Sequence, residues 1–388
     1  MSIQPLLDGL AGRKTAALAR AISLVENGAP GFEELLAGLD GKLGRSRRIG
    51  ITGPPGAGKS TLIERLVASF RSRGLTVAVI AVDPSSPFTG GALLGDRIRM
   101  ERASLDPGVF IRSMATRGSM GGMATTTGEV ADVMDAYGFD RILIETVGVG
   151  QSELDVAAAA DTTVVMLVPE SGDGIQVMKA GLMEIADLFV VNKADRPGAD
   201  RLRQELEVAM GMRTGQAYRH VRAHHGVALK VDRGTGGRGD PEKVDGGTGG
   251  QGDRKKKAGS GLAVPPSPRT PVPRSLGPAV PPSPGPPDWE PPVLATVAAE
   301  NTGVAELADA LDRHYAHLEA AGTLAARRKR RREIRTREVV DRALKRWVWS
   351  DAGPKRDVES ALDDVSAGRV SPYQAAQGIL ARVQGSVT

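Results

Sequence analysis

The sequence predicts an α/β fold, with a mostly parallel central sheet flanked by helices and helical extensions at both ends. Three observations predict it. Apolar runs of strand length recur between helical stretches, as in strands buried on both faces. Several of these runs end in Asp, Glu or Asn, the position that faces the ligand crevice of such sheets. The first of them feeds a glycine-rich turn that opens directly into a helix.

The chain has 388 residues, more than one ordinary domain needs, and no cysteine. Disulfides, thiolate metal sites and a cysteine nucleophile are therefore excluded. No run is long and apolar enough to span a membrane, and the N-terminus lacks the apolar core of a secretory signal. A cytoplasmic location is expected. The net charge of +5 lies mostly in local runs, so neither a nucleic-acid nor a membrane partner is expected.

Residues 1–45 read as a helical extension. Leu6, Leu7, Leu10, Leu18, Ala21, Ile22 and Val25 form apolar faces, Asn27 to Gly31 breaks the run, and Phe32 to Leu39 resumes it. Arg48 to Thr52 is a short buried strand. Gly53-Pro54-Pro55-Gly56-Ala57-Gly58-Lys59-Ser60 then fits the phosphate-loop pattern G-x-x-x-x-G-K-[ST] at every fixed position. From Thr61 to Ser72 the apolar spacing is helical. The motif thus lies between strand and helix, as its chemistry requires. The glycines let backbone N–H groups face a polyphosphate, and the helix N-terminus adds partial positive charge. Lys59 would reach the β- and γ-phosphates, and Ser60 would place its hydroxyl on Mg²⁺.

Thr76 to Val82 is a central parallel strand ending in Asp83. Gly90 to Met100, which contains Asp96, and Gly118 to Gly122 read as mobile loops. Arg141 to Thr146 is another buried strand. Its Glu145 matches the carboxylate that orients Mg²⁺, and the glycines after it, Gly148 among them, suit a loop that senses a γ-phosphate. Thr162 to Val168 and Leu188 to Val191 are the next strands. The last runs into Asn192-Lys193-Ala194-Asp195. Asp195 can accept two hydrogen bonds from guanine N1–H and the 2-amino group. Adenine would leave that carboxylate unpaired, which is expensive. Asn192 would complete the base edge and Lys193 would lay its stem across the ring. The expected core is a P-loop GTPase spanning 46–212.

These strings together resemble the GTPase family associated with methylmalonyl-CoA mutase, formerly called arginine/ornithine transport kinases. The matching pieces are G-P-P-G-A-G-K-S-T, V-D-P-S-S, G-G-A-L-L-G-D-R-I-R-M, E-T-V-G-V-G-Q-S-E and V-N-K-A-D, over roughly 1–212 and 288–388. The resemblance implies GTP hydrolysis with GDP as product, and a Mg²⁺ site drawing on Ser60, Asp83, Asp96 and Glu145. It implies a homodimer that chaperones an adenosylcobalamin-dependent acyl-CoA mutase such as methylmalonyl-CoA mutase, gating cobalamin loading and protecting or reactivating the enzyme. It places a further partner-coupling loop at Gly172 to Gln176, and Ala298 presenting its N–H to the base oxygen. Thr61 completes the phosphate-loop string. Gln151 is a candidate for positioning water.

Between 213 and 287 the chain is Gly-rich, then Pro-rich, with few apolar side chains, and is expected to be a disordered insertion. The core closes at 288–303. Residues 304–388 read as a helical dimerisation arm, broken at Gly322, with a last helix opening at Ser371. Within it, Arg327 to Arg332 reads as a solvated helix face rather than a nucleic-acid or membrane patch. A nickel-insertion GTPase, a transport-linked kinase and a regulatory switch with an unrelated partner remain alternative functions.

Overall fold

A computed structural model describes residues 2–83, 103, 105–115, 123–146, 152–169, 182–213, 289–348 and 355–385. Its centre is a sheet of seven parallel strands in the order β3-β2-β4-β1-β5-β6-β7. These are β1 (Arg47–Thr52), β2 (Val77–Asp83), β3 (Val109–Ala115), β4 (Arg141–Glu145), β5 (Thr162–Leu167), β6 (Leu188–Asn192) and β7 (Val293–Thr296). β1 lies between β4 and β5, with Ile51 opposite Glu145 on one side and Val164 on the other. Its residues from Arg48 to Thr52 are buried, Ile49 and Ile51 as a strand covered on both faces requires and Arg48 through its pairs with Asp132 and Asp135.

Three helices precede the sheet: α1 (Gln4–Ala11), α2 (Thr15–Glu26) and α3 (Phe32–Leu39). Leu10, Leu18, Ile22, Val25, Phe32 and Leu35 share a core with Ala78, Ile80, Ile142 and Ile144 on one face of the sheet. The extension predicted as one broken helical run is therefore three helices. The additional break falls at Gly12 and Arg13, the latter at φ 52°. α4 (Lys59–Ser72) covers the other face, with Leu62, Ile63, Leu66 and Phe70 packed on Ile49, Val79, Leu143 and Val190.

α5 (Met123–Tyr137) and α6 (Ser152–Ala159) follow β3 and β4, and the short α7 (Leu182–Ile185) and α8 (Ala199–Arg213) flank β6. α9 (Val304–Ala320) contributes Val304, Leu307, Ala308 and Leu311 to the core under α4. α10 (Thr323–Val348), α11 (Lys355–Ser366) and α12 (Pro372–Gly385) complete the C-terminal region. α12 opens on a capping box: Ser371 Oγ accepts from Gln374 N–H at 3.2 Å, and Gln374 Oε1 accepts from Ser371 N–H at 3.0 Å. No described helix is long and apolar enough to cross a membrane.

α10 corrects the reading of the arginine run. Lys329, Arg330 and Arg332 face solvent, but Arg327, Arg328 and Arg331 turn inward onto carboxylates. Asp161, whose side chain is fully buried, accepts from Arg328 Nη2 at 2.8 Å, Arg331 Nη2 at 3.0 Å and the Arg48 amide at 3.1 Å. Burial alone would raise the Asp161 carboxyl, but Arg331, Arg328 and Arg48 hold it well below the usual carboxylate range. Asp187 accepts from both terminal nitrogens of Arg327, at 2.8 and 3.0 Å. Further along α10, Arg335 meets Asp132 of α5 and Arg342 meets Glu129 of the same helix.

Candidate nucleotide site

β1 delivers the phosphate loop at the C-terminal edge of the sheet, and two of its glycines are obligatory. Gly53 sits at φ 146°, and a Cβ there would lie 2.1 Å from Met166 O of β5. Gly58 sits at φ 93°, where a Cβ would meet Asn192 Nδ2 at 2.6 Å. The backbone therefore approaches its neighbours more closely than any side chain allows. Pro54, Pro55, Gly56 and Ala57 make the turn between them, and Ala57 N–H donates to Pro54 O at 3.2 Å.

Lys59 is the first residue of α4 and is 7% exposed. Its Nζ donates to Gly53 O at 2.8 Å and to Pro54 O at 3.0 Å, so the loop is wrapped around its own cation. The next residue, Ser60, donates from Oγ to Glu145 Oε1 at 2.8 Å. Thr61 continues the first turn of α4. Glu145 closes β4 and is buried, so the hydroxyl and the carboxylate meet directly at the ends of α4 and β4. Hard oxygen donors this close, on rigid elements, suit Mg²⁺. β2 ends alongside: Ala81 is opposite Glu145, and Asp83 is the last residue of the strand. The side chain of Asp83 lies outside the described residues, as do Asp96, Gly148, Gln151 and the loops at 90–100, 118–122 and 172–176. Among the described residues no group of three metal-ligating side chains occurs. A cation here would take its remaining ligands from phosphate, water or those undescribed carboxylates.

At the base-recognition strand end Asn192 makes protein contacts that the sequence did not predict. Asn192 is 3% exposed and its amide is committed to the protein. Its Nδ2 donates to Ala57 O at 2.8 Å, and its Oδ1 accepts from Thr296 Oγ1 and Ala298 N–H, both at 3.0 Å. Asn192 thus ties the phosphate loop to the turn after β7. The physical reason is burial: at the end of a strand covered on both faces, an amide must find its partners in the protein. The Ala298 amide, expected to face the base oxygen, is the one that Asn192 holds, so a base oxygen would compete with Asn192 for it. Lys193 follows at φ 56°, a left-handed conformation uncommon outside glycine, and Asp195 is exposed just beyond it. Such strain persists only where surrounding contacts fix it, here the Ala194 N–H bonded to Thr296 O at 3.0 Å.

One residue of the site was missed in the sequence. Arg65 of α4 donates from Nε to Ala298 O at 3.2 Å and from Nη2 to Ala299 O at 3.1 Å. Its only sequence signal was a charge on a helix that otherwise buries its apolar face, which is ordinary.

Residues 18–352 match the family model described as methylmalonyl-CoA mutase-associated GTPase MeaB. A putative GTPase of Pyrococcus abyssi is 41% identical over 384 residues, covering 99% of this chain and 97% of that protein. The mouse methylmalonic aciduria type A homolog, a mitochondrial protein by name, is 42% identical over 207 residues, 50% of each chain. A crystal structure of an LAO/AO transport system kinase superposes with a TM-score of 0.58 at 25% identity, over 98% of this chain and 97% of the other.

Proposed function

The chain belongs to the methylmalonyl-CoA mutase-associated GTPase family, and on that premise we propose that it is a Mg²⁺-dependent GTP switch acting on an adenosylcobalamin-dependent acyl-CoA mutase. It is a GTPase with the P-loop fold. The proposal comprises the mutase partner, the metal, a homodimeric state, a cytoplasmic location and the gating of cobalamin loading. The observation that carries the nucleotide half is the convergence of Lys59, Ser60, Glu145 and Asn192 at the C-terminal ends of β1, β4 and β6. The partner half rests on the family and on the mouse relative.

In hydrolysis, water attacks the γ-phosphorus, the bond to the β–γ bridging oxygen breaks, and GDP and inorganic phosphate leave. The phosphate-loop amides and Lys59 hold the phosphates and offset the charge that builds on them. Mg²⁺, held by Ser60 with Asp83, Asp96 and Glu145, would neutralise phosphate oxygens. Asp195 selects guanine by accepting from N1–H and the 2-amino group. Gln151 is the candidate to orient water, and a slow intrinsic rate is expected. Glycine-bearing loops at 90–96, 118–122 and 171–174 would answer to the γ-phosphate, which is what a switch requires.

The test is binding of an adenosylcobalamin-dependent mutase to the protein loaded with GDP or with a non-hydrolysable GTP analogue, together with GTPase rates with and without the mutase. Differing affinities support the switch, and by reciprocity the mutase must then shift the preference for GTP over GDP by the same factor. Equal affinities with an unchanged rate reject it.

A further inference from the structure

The turn that follows β7 is held from two sides. On one side Asn192 takes the Ala298 amide. On the other, Arg65 takes the Ala298 and Ala299 carbonyls at 3.2 and 3.1 Å. The turn is closed on itself by Val297 N–H to Thr302 O at 3.1 Å and Thr302 N–H to Val297 O at 3.2 Å. It also contains two left-handed residues, Asn301 at φ 61° and Gly303 at φ 75°. A Cβ on Gly303 would lie 2.2 Å from Ala295 O. Among the described residues Arg65 meets these two carbonyls and no carboxylate.

We propose that Arg65 is the positioning residue that sets the base-facing turn at Ala298 and Ala299, and with it the preference for a 6-oxopurine. This rests on the guanine reading above and names a determinant that the N-K-x-D string does not contain. A guanidinium placed on two successive main-chain carbonyls fixes the plane of the peptide between Ala298 and Ala299. Drawing charge from the Ala298 carbonyl also makes the Ala299 N–H, in the same peptide, a stronger donor. That matters because the Ala298 N–H is already engaged by Asn192. Arg65 lies five residues after Ser60 on one rigid helix, a rise of about 7.5 Å. The same helix therefore carries the phosphate-binding residues at its start and the support of the base turn further along.

The division of labour makes the test specific. Asp195 distinguishes guanine from hypoxanthine through the 2-amino group, whereas the turn would read the 6-oxo group that both share and adenine lacks. The measurement is binding of GDP, IDP and ADP to the full chain and to Arg65→Ala, Arg65→Gln and Arg65→Lys, with steady-state GTP hydrolysis alongside. Arg65→Ala is expected to weaken GDP and IDP by the same factor, about tenfold for the loss of charged hydrogen bonds, and ADP by less than twofold. The loss in hydrolysis should fall on KM rather than kcat. Arg65→Lys, which keeps a cation for one carbonyl, should recover most of the factor, and Arg65→Gln should lie between. An unchanged GDP to ADP ratio in Arg65→Ala overturns the proposal. So does a loss shared equally by all three nucleotides, which marks a purely structural role. Should Arg65→Ala fail to fold, the ordering Lys, Gln on the same ratio decides. Wild-type protein with no preference for GDP over ADP would instead fail the guanine reading, and this inference with it.

Discussion

Replacing Asp161 by Asn leaves the volume of the site unchanged and removes one charge. In the native protein that carboxylate accepts from Arg328, Arg331 and the Arg48 amide with no exposure to solvent. The asparagine retains one acceptor and turns an NH₂ towards cations. Arg328 and Arg331 are then left partly desolvated without an anion. Breaking one partner of a buried pair typically costs about 3–5 kcal/mol. At about 2–4 °C per kcal/mol for a domain of this size, the melting temperature of the full chain should fall by roughly 10 °C. The assay is thermal unfolding followed by circular dichroism. Adding Arg331→Met to Asp161→Asn should return part of the loss, because one uncompensated cation goes with it. Asp161 precedes β5 at the end of the sheet away from the phosphate loop, so GDP affinity at 25 °C should hold. A fall of less than about 2 °C, or a double variant no more stable than the single one, would refute the view that α10 is held by buried ion pairs.

Asp195→Asn should transfer preference from guanine to xanthine nucleotides, since an amide donates where the carboxylate accepted; competition binding with GDP and XDP reads this, and retained GDP selectivity contradicts it. Ser60→Ala or Lys59→Ala should lower GTP turnover by about 100-fold or more, because on the proposed mechanism Lys59 offsets phosphate charge and Ser60 holds Mg²⁺; phosphate release at saturating GTP measures it, and near-normal turnover would remove either residue from the site. Acid should destabilise the fold in a defined window. Burial would raise the Asp187 carboxyl, but His314 and Arg327 hold it down to about 2. A folded-state value below the unfolded one gives stability that is complete above about pH 4 and lost as pH falls towards 2, about 2 kcal/mol from this group. Denaturant titrations at pH 5 and pH 2.5 test the sign.

Much of the sheet was legible because it is buried on both faces. β1, β2, β4, β5 and β6 are apolar runs of strand length. β3 was missed: Val109–Ala115 carries Arg112 and Ser113, and Arg112 pairs with Glu26 of α2 instead of facing solvent. An edge strand with such a residue has no continuous apolar run to detect. α5 was missed for a related reason. Glu129, Asp132 and Asp135 are buried on it, satisfied by Arg342, by Arg48 with Arg335, and by Arg48 with the Ser46 amide respectively. A helix with buried acids lacks the usual apolar stripe, and its counter-ions lie far away in sequence on α10 and β1. The arginine run was misjudged by half on the same account, since a charge shows in the sequence but its partner does not. In the site, the phosphate loop was legible from its spacing and Glu145 from its place at the end of a buried strand, whereas the direct bond from Ser60 to Glu145 was not. The commitment of Asn192 to the backbone, and the part played by Arg65, depend on β7 standing beside β6, which no local pattern encodes.

That adjacency separates chemical connection from covalent connection. Asn192 and Ala298 are joined by a 3.0 Å hydrogen bond, and β6 pairs with β7 from Phe189 to Asn192. Along the chain, residues 193–292 come between these strands. Closing so long a connection costs entropy that grows only with the logarithm of its length, so opening it altogether forgoes little beyond making the encounter bimolecular. A protein cut between 214 and 288 should therefore behave as a complementing pair. The first fragment carries the phosphate loop and the N-K-x-D string, and the second carries the base turn and the arginines that bind Asp161 and Asp187. Tight guanine binding would return on mixing and be absent from either fragment alone. Guanine affinity would then serve as a direct gauge of how strongly the two halves of this fold recognise each other.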